Sequence, residues 1–294
     1  MVKEFLLGDN PFLGISHLAQ VKAREEKKEA TLQNKVNVIK AAIEGGVTGF
    51  TFSTHQSNLK LLRALYLRHK DILEFLNYYL LVPYAYGYVR KSSSMGIVNL
   101  ARYILKSLVK ENSFRFLSSI ALMDVEDLVS LFIYSEIEPY IKLLPKPKVK
   151  AVLVHEILTE LMVAYDMAEL YEELENSIRK DLDIGFGIET RNIVVTKIWL
   201  DKYGFKPKYI MTPMNALGYQ MAPSKEEAEE AISKLSSVSK IIAINILASG
   251  ALSLDQAIEY LLPWKYRIYA VAVGTSKHRR AYKNFIKLRK TLET

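Results

Sequence analysis

Ile268-Tyr-Ala-Val-Ala-Val-Gly-Thr-Ser-Lys-His-Arg-Arg-Ala-Tyr-Lys-Asn284, near the C-terminus, decides how the rest of the chain is read. It predicts a buried strand over residues 268–273, a tight turn at Gly274-Thr275-Ser276, and a helix with Lys277, Arg279 and Arg280 in its first turn. That order makes an anion site. The first N–H groups of a helix lack partners, glycine lets a ligand approach the backbone, and Ser276 is placed to cap the helix. The bland reading is a capped helix with solvated arginines. Three cations at the positive end of a helix dipole repel one another, however, unless an anion sits among them. Phosphate is the natural guest.

Working back from this stretch, short apolar runs alternate with longer amphipathic ones. Strands are predicted at 12–16, 48–53, 79–83, 149–155, 184–189, 209–212, 241–246 and 268–273, and helices at 32–44, 58–68, 99–110, 159–180, 190–203, 225–235 and 254–261. The helical runs repeat apolar residues at three- and four-residue spacing, and Gly45-Gly46, Pro147, Pro207 and Pro223-Ser224 punctuate the junctions. Closing the sheet gives the last strand a partner, which makes a single (β/α)8 TIM barrel, an α/β fold, spanning 1–294. Residues 1–20 fit the alternation poorly and suggest an N-terminal hairpin before the barrel. Residues 113–145 suggest a helical insertion between strands 3 and 4, with helices at 125–135 and 137–143, that caps the barrel or serves a dimer contact.

The composition narrows the function. A chain of 294 residues, 50% hydrophobic and 24% charged, buries a large core and is not disordered. Zero cysteines exclude disulfides, thiolate catalysis and thiolate metal ligands. The absence of an apolar run of about 18 residues, and of a basic-then-apolar leader, gives no sign of a membrane partner and makes a cytoplasmic location the expectation. Lys, Glu, Ile and Tyr usage without Cys suits a thermophilic source. The net charge of +8 is spread among carboxylates, with no helix-turn-helix, zinc-finger or stacking signature, which points away from nucleic acid.

A barrel places its chemistry at the C-terminal ends of its strands. There the predicted strands present Ser16 and His17, then Thr54, His55 and Gln56, then Pro83, Tyr84, Tyr86 and Arg90. His155 and Glu156 follow strand four, Glu189, Thr190 and Arg191 strand five, Asn215 strand six, Asn245 and 248–250 strand seven, and the anion turn with His278 strand eight. Four of the five histidines, all but His69, fall on that face. For any one of them an imidazole bonded to backbone is the plain alternative.

Several of these segments together resemble the aldo-keto reductase superfamily. Residues 46–53 resemble its second strand, 152–155 the fourth with its histidine, 185–190 the fifth, 211–215 the sixth and 246–250 the seventh. Val273-Gly-Thr-Ser276 with Arg280 and Asn284 is similar to the family's cofactor-phosphate segment. The resemblance implies NADPH-dependent carbonyl reduction with a tyrosine acid, tuned by an aspartate and a lysine. Here Thr51 stands at the aspartate, Gln56 at the tyrosine and Pro83 or Tyr84 near the lysine, while His155 matches. Gln56 cannot deliver a proton near neutral pH.

Three readings follow. In the first the barrel binds a phosphorylated small molecule, NADP(H) foremost, through Gly274, Thr275, Ser276, Lys277, Arg280, Asn284 and Asn215, with His155, His55, Tyr84 and Glu189 as the catalytic set. In the second, His17, His55, His155, Glu156 and Glu189 hold a divalent metal for hydrolase, lyase or isomerase chemistry. In the third the barrel is a non-catalytic binding or scaffold subunit.

Overall fold

The computed structural model describes residues 1–14, 31–84 and 125–293. Eight parallel strands close into a barrel in chain order: β1 Glu4–Gly8, β2 Gly49–Ser53, β3 Asn77–Val82, β4 Val149–Val154, β5 Gly185–Glu189, β6 Tyr209–Pro213, β7 Lys240–Ile244 and β8 Ile268–Gly274. β1 completes the ring, pairing with β2 on one side and with β8 on the other, where Gly8 lies opposite Gly274. Around it run α1 Leu32–Glu44, α2 Gln56–Arg68, α3 Lys70–Phe75, α4 Val125–Ile141, α5 Glu156–Ala164, α6 Ala168–Asn176, α7 Ile193–Tyr203, α8 Lys225–Leu235, α9 Leu254–Leu261 and α10 His278–Leu292. The expected (β/α)8 barrel is what the chain forms.

The period of two along each strand sorts side chains into two cores. Phe5, Leu7, Phe50, Phe52, Val152 and Val154 pack outward against the helices, whereas Leu6, Tyr79, Leu153, Tyr209, Met211 and Ile242 fill the barrel. The interior is therefore solid below the mouth. β5 turns glycine inward at Gly187, where a Cβ would lie 2.5 Å from Leu153 Cδ2 and 2.7 Å from the Tyr209 carbonyl oxygen. Glu189, two residues on along the same inward face, thus stands on a packed floor. At the opposite end Glu4 is buried and satisfied by the Tyr269 hydroxyl at 2.7 Å and the Asn77 amide at 3.2 Å.

Three expectations need correction. Residues 1–14 are not a hairpin ahead of the barrel. The first strand is Glu4–Gly8, not residues 12–16: Phe12 and Leu13 belong to a 3-10 turn, Asn10–Leu13, with Pro11 in its first turn and left-handed Gly14 closing it, and residues 15–16 lie outside the described residues. Residues 159–180 are not one helix: Asp166 adopts a φ of 57° and its carboxylate takes Trp199 Nε1 at 2.9 Å and Lys202 Nζ at 2.6 Å, which locks a break between α5 and α6. α4 runs unbroken through residues 135–137. It packs against α2, α6 and β3. The predicted helix at 99–110, the start of the 113–145 span, and Ser16, His17, Tyr86 and Arg90 lie outside the described residues. Among the described residues no helix is long and apolar enough to cross a membrane.

Candidate functional site

Because all strands run parallel, their C-terminal ends share one rim, and the candidate residues divide among three corners of it. At the β4–β5 corner, His155 caps α5: its Nδ1 accepts the Ile157 N–H at 3.2 Å, so the ring proton rests on Nε2. Burial pushes this imidazole down to about 4, with Arg191 adding to the effect against Glu156 and Glu160. His155 is therefore neutral at ordinary pH, with its ring proton on Nε2. Glu189 continues the inward face of β5, and one carboxylate oxygen accepts the Glu156 N–H at the start of α5, at 3.3 Å. Burial raises Glu189 to about 7. Glu156 is also raised to about 7, by burial and then by the Glu189 charge, against its ion pair with Arg191. Two adjoining carboxyls of this kind titrate as a unit and hold a proton near neutrality. Glu160 secures the corner by accepting the Arg191 N–H at 2.9 Å and the Thr190 hydroxyl at 3.3 Å.

The β1–β2–β3 corner contains residues that the sequence did not single out. Asp9, just past β1, accepts the Ser53 N–H at 3.0 Å and the Asn58 amide at 2.6 Å, and burial raises its carboxyl to about 6. Lys35 of α1 is buried with 3% exposure, which lowers its pKa, and its ammonium donates to the Ser57 hydroxyl. The Ser57 N–H in turn donates to His55 Nδ1 at 3.1 Å, so His55 caps α2 as His155 caps α5. Burial, and then the Lys35 charge, lowers His55. Its ring meets Tyr84 edge to face at 4.6 Å. Thr51 faces this side of the interior, in the place where the family resemblance calls for an aspartate, and it is buried.

The β8 corner holds the predicted anion turn, with one change. Lys277, not Ser276, is the N-cap of α10, and no side chain caps the helix. Thr275 Oγ1 accepts the Lys277 N–H at 3.2 Å, and the buried Ser276 gives its carbonyl to Asn34 of α1 at 2.9 Å. The Thr275 hydroxyl is spent on the turn and no side chain caps α10, so the first N–H groups of the helix are left without a side-chain partner. Lys277, His278, Arg279 and Arg280 are exposed, and Asn284 is half-buried one turn on. None of Lys277, Arg279 and Arg280 forms an ion pair among the described residues. Gly274 is forced by neighbours, since a Cβ there would lie 2.6 Å from Pro11 Cδ. Asn215 is fully buried, and its amide is committed to the loop after β6, accepting the Tyr219 N–H at 2.8 Å and donating to the Tyr219 carbonyl at 2.9 Å.

Among the described residues the geometry does not support the metal reading. Among the described residues no three His, Asp or Glu side chains group as a metal site. His55 and His155 each turn Nδ1 to a helix start, Glu156 pairs with Arg191, Glu189 serves the α5 backbone, and His17 lies outside the described residues.

No protein-family model matches the chain, and no curated protein matches it in sequence. Solved structures do. A Pseudomonas aeruginosa protein described as an aldo-keto reductase superposes with a TM-score of 0.62 at 16% identity, covering 99% of this chain and 92% of that one. The fold is that of the aldo-keto reductases. The holo form of an aldo-keto reductase from Bacillus halodurans (TM-score 0.53, 11% identity, 99% and 91% covered) and a Bombyx mori aldo-keto reductase in complex with NADP (TM-score 0.53, 10% identity, 96% and 82% covered) share it. The barrel resemblance read from short motifs therefore holds at the level of fold, at identities where activity does not follow from likeness.

Proposed function

We propose that this aldo-keto-reductase-like barrel binds a phosphorylated ligand, NADP(H) foremost, at the β8 corner and carries out carbonyl chemistry with a catalytic set of its own. The observation that carries the reading is a pairing across one rim: an uncapped, triply basic helix start at β8, and a neutral histidine beside a proton-holding carboxyl pair at β4 and β5. On a ring of eight strands β4 and β8 are diametrically opposed, so a ligand anchored by its phosphate at one extends over the mouth toward the other.

The residues at β8 fit a nucleotide phosphate. Open N–H groups at the start of α10, with Lys277 and Arg280 beside them, suit a dianion, and Asn284 adds an amide one turn along. When bound, NADPH supplies a hydride. His155 Nε2–H donates to a substrate oxygen and orients it, which a histidine held neutral by burial does at any ordinary pH. The Glu189–Glu156 pair replaces the family's tyrosine as proton source: with a carboxyl raised to about 7, one proton is held at neutral pH and passes to the oxygen as negative charge develops there. His55 and Tyr84 line the facing side.

A melting screen over NADPH, NADH, sugar phosphates and inorganic phosphate tests this. A ligand at a hundred times its Kd stabilises the folded chain by about 2.7 kcal/mol, a shift of several degrees. A selective rise with NADPH is expected. No response to any of these ligands, together with a stable complex with another protein in light scattering, would favour the scaffold reading instead.

A further inference from the structure

Glu136 belongs to α4, in the helical ring, yet its carboxylate reaches the tips of two strands. Oε2 accepts the Thr54 hydroxyl at 2.7 Å just past β2 and the Tyr84 N–H at 3.3 Å just past β3. His55, next after Thr54, meets the Tyr84 ring at 4.6 Å with an interplanar angle of 63°. The helix that carries Glu136 is firmly seated. Ile133 and Ile137 are buried, and Tyr140, one turn beyond Glu136, packs its ring 5.7 Å from that of Phe52 on β2. Bonds to a carboxylate are stronger than neutral ones and hold their donors to a narrower geometry.

We propose that Glu136 is a positioning residue of the barrel mouth, tying the turn after β2 to the turn after β3 and so holding the His55 imidazole against the Tyr84 ring. His55 receives its other constraint from below, through the Ser57 N–H and the Lys35 ammonium behind it. The start of α2 thus holds the imidazole by Nδ1, and the tie through Glu136 sets where the Tyr84 ring meets it. A glutamate that merely fastened α4 to the barrel would leave the relation of the two rings untouched, and this difference is measurable without any ligand.

The ring of Tyr84 shifts the carbon-bound proton signals of His55 in NMR, and Tyr84→Leu identifies that contribution. In Glu136→Ala the His55 signals are expected to move toward their positions in Tyr84→Leu. Glu136→Gln, which keeps an acceptor oxygen, should restore most of the displacement. His55 signals that stay in place in a folded Glu136→Ala chain, or that do not respond to Tyr84→Leu, overturn the proposal. Should Glu136→Ala fail to fold, Thr54→Val removes the shorter of the two bonds alone, and is expected to give the same displacement at smaller amplitude; unmoved signals there overturn it equally. Since no nucleotide enters this experiment, a barrel that failed to bind NADP(H) would leave the result standing, and the reverse holds too.

Discussion

Replacing Glu189 by glutamine should stabilise the protein at alkaline pH and leave it unchanged in acid. Burial raises the Glu189 carboxyl from its ordinary value of 4.5 to about 7. The difference of about 2.5, at about 1.4 kcal/mol for each, is on the order of 3 kcal/mol between the charged and neutral forms. The folded chain holds this proton more tightly than the unfolded chain does. Its contribution to stability is thus fully present below about pH 4.5 and is lost as pH rises through about 7. Glutamine is neutral throughout and of the same shape, and its carbonyl still accepts the Glu156 N–H. Removing the Glu189 charge also relieves Glu156, for which that charge is the second cause of a raised pKa. In calorimetry, Glu189→Gln is expected to raise Tm by roughly 5 °C at about pH 8, with no gain at about pH 4.5. A loss of stability at pH 8, or the same change at both pH values, would refute the carboxyl pair as a buried proton store.

Two further outcomes follow from the same geometry. Lys35→Met removes the charge that, after burial, lowers His55, so the His55 titration midpoint should rise in NMR; an unchanged midpoint would mean that Lys35 does not act on the ring. Gly187→Ala drives a Cβ to 2.5 Å from Leu153 Cδ2 and 2.7 Å from a backbone oxygen, which should cost about 3 kcal/mol and lower Tm by several degrees, whereas a Tm within a degree of wild type would show that the floor beneath Glu189 has slack.

The barrel was legible because its strands from β2 to β8 are short apolar runs between punctuated helices, a pattern set by local chemistry. β1 was not, since its first residue is a glutamate, and what makes Glu4 acceptable inside the barrel is Tyr269 and Asn77, far away in sequence. The apolar residues around Phe12 looked more like a strand, but Pro11 commits them to a turn. The break at Asp166 depends in the same way on Trp199 and Lys202. At the mouth, His55 and His155 stood out because they sit between a strand and a helix, and both do stand there. Their capping role could have been suspected from that junction alone. Asp9, Lys35, Asn58 and Glu136 carried no such mark: a buried lysine at a helical position looks like any surface lysine until the fold brings Ser57 and Asp9 around it. The turn at Gly274 was legible as a strand-to-helix turn with a basic helix start, although Thr275, and not Ser276, supplies the hydroxyl that shapes it.

The most direct measurement is a fluorescence titration of NADPH against the wild-type chain and the double variant Lys277→Ala/Arg280→Ala. The wild-type chain should bind saturably. The double variant, folded but stripped of two charges at an uncapped helix start, should bind roughly tenfold more weakly or worse. Equal affinity in the two chains would contradict a phosphate site at the end of β8.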